Sequence, residues 1–223
     1  MIKGLTCSAL FERGNSAAEK LIFSYEYPWE VLPHIGDFIL EYGKTLSNDL
    51  YDSPSEGVWI AKSAKISPLA TFSAPCIIGE NTEVRQSAFI RGKALIGNGC
   101  VIGNSTELKN CIIFDGCQVP HFNYIGDSIL GYKAHMGAGS ITSNVKSDKT
   151  FVTIKLNDIK LETGLKKMGA ILGDYAEIGC NSVLNPGTVI GAHTNVYPLS
   201  SVRGFVPPNS IFKSQDSIVS KIN

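Results

Sequence analysis

The chain has 223 residues and carries 20 Lys plus Arg against 20 Asp plus Glu, so its formal net charge is zero. This balance gives no electrostatic reason to expect nucleic acid or an anionic membrane as a partner. No apolar run approaches the ~18 residues of a transmembrane helix, and the N-terminus lacks the pattern of a signal peptide. We therefore expect a cytoplasmic protein that binds neither nucleic acid nor membrane.

Residues 1–56 are predicted to form a small helical N-terminal segment and a linker. Apolar residues recur at helical spacing over 8–24 and 28–47, and Pro28 suits the first turn of a helix. The stretch 48–56 (NDLYDSPSE) is rich in turn residues and is predicted to be the linker. These residues are too few for a nucleotidyltransferase domain and contain no glycine-rich loop, so we expect no nucleotidyltransferase activity.

Residues 57–206 follow a period of six, which fits neither a helix nor simple strand alternation. A large apolar residue occupies the first position of most hexads and a small residue the fifth, and both are predicted to point inward. Positions two and six then point outward, and positions three and four form a corner. Two hexads, 108–112 and 125–129, have only five residues. Cysteines occupy the fifth position at Cys76, Cys100 and Cys117, without the spacing of a zinc site, and are predicted to be reduced core residues.

The stretch 143–167 interrupts the repeats. Its sequence alternates as FVTIKL, Asn157-Asp158 and IKLETG, which predicts a β-hairpin on a projecting loop. Long loops in compact repeat domains are more often functional than idle. Repeats resume at 168, and Pro207-Pro208 ends them before a C-terminal tail, 207–223.

Hexads such as IGNGCV and IGNSTE resemble the hexapeptide-repeat acyltransferase superfamily. This resemblance implies an all-β fold, a left-handed parallel β-helix of about seven coils in which three hexads form one coil of eighteen residues. Stacked neighbours are then eighteen residues apart, or seventeen across a shortened hexad, and about 4.8 Å separates the coils. Family resemblance also implies a homotrimer.

The hexad register places several polar residues together. Arg91 and Lys109 both occupy position two on adjacent coils, about 5 Å apart, and their repulsion is about 3 kcal/mol at an effective dielectric near 20. Either the two side chains splay apart or an anion lies between them. Glu107 and Tyr124 stack at position six on the same face, and His121 lies at the corner from which the strand of Tyr124 begins.

The string GNSTELKNCIIFDGCQVPHFNYIGD, followed by HMGAGSITSN, closely resembles the acetyltransferase domain of the bacterial bifunctional enzyme that makes UDP-N-acetylglucosamine, and its archaeal sugar-1-phosphate acetyltransferase relatives. By this resemblance the donor is acetyl-CoA, held largely between subunits, and His121 is the general base for an attacking amine. The resemblance also implies substrate-binding roles for Arg91, Lys109, Tyr124, His135 and Asn144. Cofactor-binding roles are implied for Gly137, Ala138, Gly139, Cys180 and Pro198.

Four positions depart from the family pattern. His135 replaces an asparagine that contacts the sugar, Val145 replaces a tyrosine, Cys180 replaces a serine and Pro198 replaces an alanine. These changes leave the reaction class intact and the acceptor sugar open. His135 is either a contact to a different acceptor or a solvated corner residue.

Three functions compete for this sequence. The first is an acetyl-CoA-dependent N-acetyltransferase acting on an amino-sugar phosphate such as glucosamine 1-phosphate. The second is a non-catalytic hexapeptide-repeat protein that binds a sugar nucleotide or a partner. The third is a zinc-dependent carbonic anhydrase of the same fold, which needs three histidine ligands. Since only His121 and His135 fall in neighbouring coils, we expect no metal and favour the first function.

Overall fold

The structure is a computed structural model that describes residues 2, 4–156 and 159–222. The helices are α1 (Cys7–Leu10), α2 (Glu19–Ile22), a 3₁₀ helix (Pro28–His34) and α3 (Ile35–Gly43). The strands are, in chain order, β1 (Tyr51–Ser55), β2 (Val58–Ala61), β3 (Lys65–Ile66), β4 (Thr71–Phe72), β5 (Cys76–Ile78), β6 (Glu83–Val84), β7 (Phe89–Ile90), β8 (Ala94–Ile96), β9 (Val101–Asn104), β10 (Glu107–Ile113), β11 (Gln118–His121), β12 (Tyr124–Leu130), β13 (His135–Met136), β14 (Ile141–Thr142), β15 (Thr153–Leu156), β16 (Ile159–Glu162), β17 (Ala170–Leu172), β18 (Glu177–Ile178), β19 (Val183–Leu184), β20 (Thr188–Ile190), β21 (Asn195–Val196), β22 (Ser201–Val202), β23 (Phe205–Val206), β24 (Ser210–Ser214) and β25 (Ser217–Ser220).

The predicted left-handed parallel β-helix is confirmed, with about eight turns where the hexads predict about seven. Face A consists of β4, β7, the first halves of β10 and β12, β14, β19 and β22. Face B consists of β2, β5, β8, the second halves of β10 and β12, β17, β20 and β23. Face C consists of β3, β6, β9, β11, β13, β18, β21 and β24. We name the corners by the faces they join: CA, AB and BC.

Strand pairing follows the hexad register. Full coils pair residues eighteen apart, as in Lys65 with Glu83. Across the two shortened hexads the separation falls to seventeen, as in Glu107 with Tyr124. There β10 and β12 continue through corner AB as single strands, bending at Asn110 and Asp127, whose φ is 49° in both. Asn and Asp tolerate this left-handed conformation better than most residues.

The core is the interior column of the β-helix. Its apolar side chains are almost fully buried, and each contributes about 1.5–3 kcal/mol by leaving water. All six cysteines are free, and Cys180 alone is exposed. Burial raises the pKa of the Cys76 and Cys100 thiols to about 12. They are therefore protonated, unreactive core residues at neutral pH.

The N-terminal segment packs across face B, where α3 contacts β5, β8 and β10, and onto corner BC. Glu12 N–H donates to Asp174 Oδ2 at 2.7 Å, and the Phe11 and Phe114 ring centroids lie 4.9 Å apart. Within 8–24 the helices are single turns only, because the Gly14-Asn15-Ser16 stretch interrupts the helical pattern. Residues 48–56, predicted as a linker, include β1, which pairs antiparallel with β2.

The predicted hairpin forms from β15 and β16, and its Asn157-Asp158 turn lies outside the described residues. The excursion packs back on its own β-helix rather than standing free, since Val152 and Ile154 are fully buried. A side chain at Gly187 would meet the Thr153 carbonyl, so the hairpin backbone lies directly against the coil below it. In the tail, β24 extends face C and pairs antiparallel with β25.

Candidate functional site

Corner CA carries a continuous ladder of third-position residues on successive coils. Each carbonyl accepts a hydrogen bond from the fourth-position amide of the next coil. Phe122 N–H donates to Asn104 O at 2.8 Å, Gly139 N–H to His121 O at 2.9 Å, and Leu199 N–H to Cys180 O at 2.9 Å. The ladder includes Asn104, His121, Ala138, Cys180 and Pro198. The structure thus stacks His121 directly above the candidate coenzyme positions.

His121 is the last residue of β11, and its side chain is exposed. Its backbone is held by Asn123, which is almost fully buried. Asn123 Oδ1 accepts from His121 N–H at 3.0 Å, and Asn123 Nδ2 donates to Gly137 O at 2.8 Å. In the part of the chain that the structure describes, the His121 imidazole makes no hydrogen bond. Both of its ring nitrogens are therefore available to a substrate.

The three residues 137–139 form the corner below His121. Gly137 N–H donates to Ile178 O at 2.7 Å and Gly139 N–H to His121 O at 2.9 Å, so both amides are used by the β-helix. Among residues 2, 4–156 and 159–222, none accepts a hydrogen bond from Ala138 N–H. Ala138 therefore presents the one amide of these three that can donate to a ligand at this corner.

Cys180 and Pro198 continue the same edge. A side chain at Gly179 would lie 2.3 Å from Pro198 N, so the absence of a side chain there lets the two coils approach. Beyond Pro198 a groove of about 500 Å³ includes Tyr197, Lys221 and Ile222 among its lining residues. Corner CA thus runs from His121 past small side chains into an open groove.

Arg91 and Lys109 lie on adjacent coils as predicted, but neither has an unpaired charge. Arg91 Nη1 donates to Glu107 Oε1 at 2.7 Å, and the two side chains are 47% and 34% exposed. This hydrogen bond raises the pKa of the Arg91 guanidinium further above its ordinary value. The anion that relieves the predicted repulsion is thus supplied, for Arg91, by a carboxylate of the protein.

Lys109 is neutralised by Asp127, which the sequence analysis left without a role. Lys109 Nζ lies 3.2 Å from both carboxylate oxygens of Asp127. Asn110 Nδ2 donates to Asp127 Oδ1 at 2.9 Å, and Asn144 Nδ2 donates to Asp127 Oδ2. Asp127 is only 4% exposed, so its charge is satisfied almost entirely by these neighbours.

Tyr124 is connected to the same network. Its Oη accepts a hydrogen bond from Asn144 Nδ2 at 3.2 Å. Burial raises the pKa of the Tyr124 phenol, and the negative charges of Asp127 and Glu107 raise it further. The phenol is therefore neutral around pH 7 and keeps its proton for donation. Face A and corner AB thus bring together Arg91, Lys109, Tyr124 and Asn144.

His135 lies apart from this group, near the start of face C. Its Nδ1 is 3.0 Å from Glu177 Oε2. The two side chains help to line a separate groove of about 380 Å³ with Lys133 and Gln118. In this chain His135 is therefore a partner of Glu177 and does not join the residues of face A.

Asp127 and Asn123, to which the sequence motifs assigned no role, hold other residues of the site in place. Asp127 is the last residue of the string GNSTELKNCIIFDGCQVPHFNYIGD, and seventeen-residue spacing aligns it with Asn110 and Asn144 at corner AB. This alignment was the available signal. Asn123 gave no comparable signal, since only the folded corner shows that its amide bridges two coils.

The residues that the structure describes were also compared with the requirements of a membrane-spanning helix and of a metal site. None of their helices combines the length and apolar character that crossing a membrane requires. Nor do three or more His, Cys, Asp or Glu side chains among them gather as they would around a metal ion.

Comparison with known proteins finds one family model and several sequence relatives that match part of the chain. The family model described as GMPPB C-terminal domain matches residues 72–164. A bifunctional sugar-1-phosphate nucleotidylyltransferase/acetyltransferase of Sulfurisphaera tokodaii is 31% identical over 106 residues, covering 48% of this chain and 26% of that protein. The bifunctional protein GlmU of Prochlorococcus marinus is 33% identical over 141 residues, covering 63% and 28%. The chain therefore spans well under half the length of these curated relatives.

Among solved structures, the UDP-N-acetylglucosamine acyltransferase of Francisella novicida matches with a TM-score of 0.43 and 18% identity, covering 73% of this chain and 65% of that one. The hexads, the parallel β-helix and the relatives in sequence together support the resemblance to the hexapeptide-repeat acyltransferase superfamily. The name of the Sulfurisphaera tokodaii relative includes an acetyltransferase activity beside a sugar-1-phosphate nucleotidylyltransferase activity.

Proposed function

We propose that this chain is an acetyl-CoA-dependent N-acetyltransferase acting on an amino-sugar phosphate such as glucosamine 1-phosphate. The observation that carries the proposal is the ladder of corner CA. It stacks the His121 imidazole directly above Ala138 N–H, and neither group hydrogen-bonds to any residue that the structure describes. Acyl transfer needs both groups: a base for the amine, and a donor where negative charge develops. The names of the sequence relatives supply the substrate class.

The proposed reaction is direct transfer without a covalent enzyme intermediate. The imidazole of His121 takes a proton from the neutral amine of the acceptor as the amine nitrogen attacks the thioester carbonyl carbon. The C–N bond forms, and the carbonyl oxygen gains negative charge, which Ala138 N–H stabilises. Collapse breaks the C–S bond, and the proton held by His121 passes to the departing coenzyme A sulfur.

The residues of face A are proposed to hold the acceptor. The Arg91–Glu107 pair is open to solvent and such surface pairs are weak, so a phosphate dianion can displace Glu107 from the guanidinium. Lys109 has three N–H donors, two of which serve Asp127, which leaves one for the acceptor. Tyr124 and Asn144, joined to each other by a hydrogen bond, line the same surface.

Corner CA is proposed to bind acetyl-CoA along Gly137, Ala138, Gly139, Cys180 and Pro198, with its far end in the groove beside Lys221.

His135 is proposed to contact the acceptor of a neighbouring subunit, since Glu177 holds it away from face A of its own chain. A homotrimer is consistent with this arrangement because Phe122 and Leu199, on the same corner, are 61% and 80% exposed. Nucleotidyl transfer is not part of the proposed activity.

The test is release of free coenzyme A thiol from acetyl-CoA with a panel of amino-sugar phosphates. Wild type is expected to turn over at least one of them, and His121→Ala is expected to lose about 10²–10⁴-fold of that rate. His34→Ala, the same substitution at an exposed histidine of the N-terminal segment, is the matched control and should retain full activity. Equal turnover by wild type and His121→Ala would contradict the role of His121 as the general base. No turnover with any acceptor despite acetyl-CoA binding would contradict the acceptor class.

A further inference from the structure

A second concave surface lies beside corner AB, between the hairpin and the last coils of the β-helix. Its volume is about 630 Å³, and its lining includes Lys146, Lys155, Lys160 and Arg203. These cations come from three separate parts of the chain: the segment after β14, the hairpin, and the end of β22. We call this surface the basic groove. Its volume lies in the range typical of small-molecule sites.

The hairpin holds two of these cations against each other. Lys155 and Lys160 are direct partners in the antiparallel pairing of β15 and β16, and like charges in such positions repel. The register cannot easily slip to separate them, because a slip of one residue would expose the fully buried Ile154. The fold therefore keeps the positive charges of Lys155 and Lys160 close together, and a bound anion would reduce their repulsion.

The basic groove differs from the Arg91 and Lys109 region in how its charge is balanced. Arg91 and Lys109 each have a carboxylate of their own, and Lys146 lies 3.3 Å from Asp148. Within the described ranges, no Asp or Glu oxygen lies within 4.0 Å of the charged nitrogens of Lys155, Lys160 or Arg203. Among the described residues, Lys155, Lys160 and Arg203 therefore differ from Arg91 and Lys109 in having no carboxylate partner.

The groove is also within reach of the proposed reaction centre. Its lining includes Ser143 and Val145, the two neighbours of Asn144. The strand β14 runs from the corner of Ala138 to this edge, and the intervening four residues span about 13 Å. A ligand anchored in the basic groove can therefore extend across face A to corner CA.

We propose that the basic groove binds the pyrophosphate group of the reaction's substrates, and that the acceptor is a nucleotide-linked amino sugar. This inference rests on the proposed acetyl transfer and replaces the single phosphate of its acceptor by the pyrophosphate of a nucleotide. Three cations converging from two sides suit a pyrophosphate better than a single phosphate, since each phosphoryl group can meet its own donors. Acetyl-CoA also carries a pyrophosphate, but its proposed corner is on the opposite edge of face A, so the acceptor is the source that the geometry favours.

The experiment measures binding directly, by isothermal titration calorimetry, with three probes: inorganic pyrophosphate, UDP and coenzyme A. The test variant is Lys155→Gln/Lys160→Gln, with Arg203→Gln as an independent second variant. The matched control is Lys20→Gln/Lys44→Gln, which removes the same charge from the N-terminal segment. Circular dichroism and thermal melting establish that each variant is folded.

Both test variants are expected to lose about tenfold or more in affinity for pyrophosphate and UDP, with the control unchanged. Loss of UDP binding with coenzyme A binding intact supports the groove as the acceptor's pyrophosphate site. Loss confined to coenzyme A would overturn the acceptor assignment, and unchanged affinity for all three probes, or an equal loss in the control, would overturn the groove itself. Because no turnover is measured, these outcomes are independent of whether the thiol-release assay succeeds.

Discussion

At the scale of single residues, the site depends on a carboxylate that touches neither proposed substrate. Asp127 accepts hydrogen bonds from Lys109, Asn110 and Asn144. It also occupies a left-handed backbone position at the tight corner between faces A and B. One residue thus sets the corner and orients two of the proposed acceptor contacts, so its replacement should affect stability and substrate binding together.

Replacing Asp127 with Ala is expected to destabilise the protein by about 2–3 kcal/mol. The change strands a largely buried ammonium at Lys109, and loss of one partner of a buried pair costs several kcal/mol, reduced here because Lys109 is 26% exposed. Urea unfolding followed by circular dichroism measures the difference. Asp127→Asn tolerates the backbone conformation and keeps an acceptor for Asn110 but removes the charge, so most of the loss is expected in this variant too; an Asn variant as stable as wild type would contradict a charge-based role.

Cys180 is expected to be the one cysteine that reacts with a thiol reagent in the native protein. Its side chain is exposed while the other five are buried, and burial raises the pKa of Cys7 and Cys76 to about 12. With Ellman's reagent, wild type should release about one equivalent natively and all six after unfolding, and Cys180→Ser should release none natively. Acetyl-CoA bound at corner CA is expected to slow the native reaction. A rate unaffected by saturating acetyl-CoA would contradict the proposal that Cys180 lies in the acetyl-CoA site.

At the scale of elements, the hairpin of β15 and β16 forms part of the basic groove because it packs against the β-helix. Ile154 is fully buried, whereas Ile159 on the partner strand is 54% exposed. The same residue type thus has two opposite environments within one hairpin. The basic groove exists only while the buried side keeps the hairpin against the coils.

Ile154→Ala is therefore expected to cost about 2–4 kcal/mol of stability and to make the stretch 146–165 sensitive to protease. Ile159→Ala, the matched control, should change stability by no more than about 0.5 kcal/mol, as exposed positions typically do. Chemical denaturation and limited proteolysis with mass spectrometry distinguish the two variants. Comparable behaviour of the two would mean that the hairpin is not anchored through Ile154.

At the scale of the whole molecule, corner CA carries unusual apolar exposure beside the proposed catalytic group. Phe122 and Leu199 are 61% and 80% exposed, and both have left-handed backbone angles, φ 52° and 59°. Bulky side chains are rare in this conformation. Apolar residues held exposed at unfavourable backbone positions are better explained by burial between subunits than by the folding of one chain.

Phe122→Asn and Leu199→Asn are therefore expected to convert a homotrimer, three times the chain mass of 24.0 kDa, into monomer. Asn favours the left-handed conformation, so each monomer should remain folded while thiol release falls. Sedimentation velocity measures the mass, and Leu50→Asn, which changes an exposed leucine on another part of the surface, serves as the control. A wild-type mass of 24.0 kDa, or trimers in both variants, would contradict this assembly.

The β-helix was predicted from the resemblance of the hexads to the hexapeptide-repeat superfamily, and the period of six then identified which side chains face the interior of each coil. That same register predicted that Arg91 would stack on Lys109, that Glu107 would stack on Tyr124, and that His121 would precede the strand of Tyr124. Strand pairing is local from coil to coil, so spacing along the chain translates directly into neighbours in space. The hairpin was predictable for a similar reason, since alternation over residues 151–162 describes a short local structure.

Only the tertiary structure decided how charge is distributed over that framework. Spacing placed two cations side by side, but the direction and burial of side chains determined that Glu107 and Asp127 neutralise them. The packing of the hairpin on its own coils, which creates the basic groove, depends on long-range contacts between Val152, Ile154 and the β-helix that no repeat encodes. A repeating sequence therefore determined the positions of the backbone, whereas the available charges, amides and grooves followed from side-chain contacts across coils.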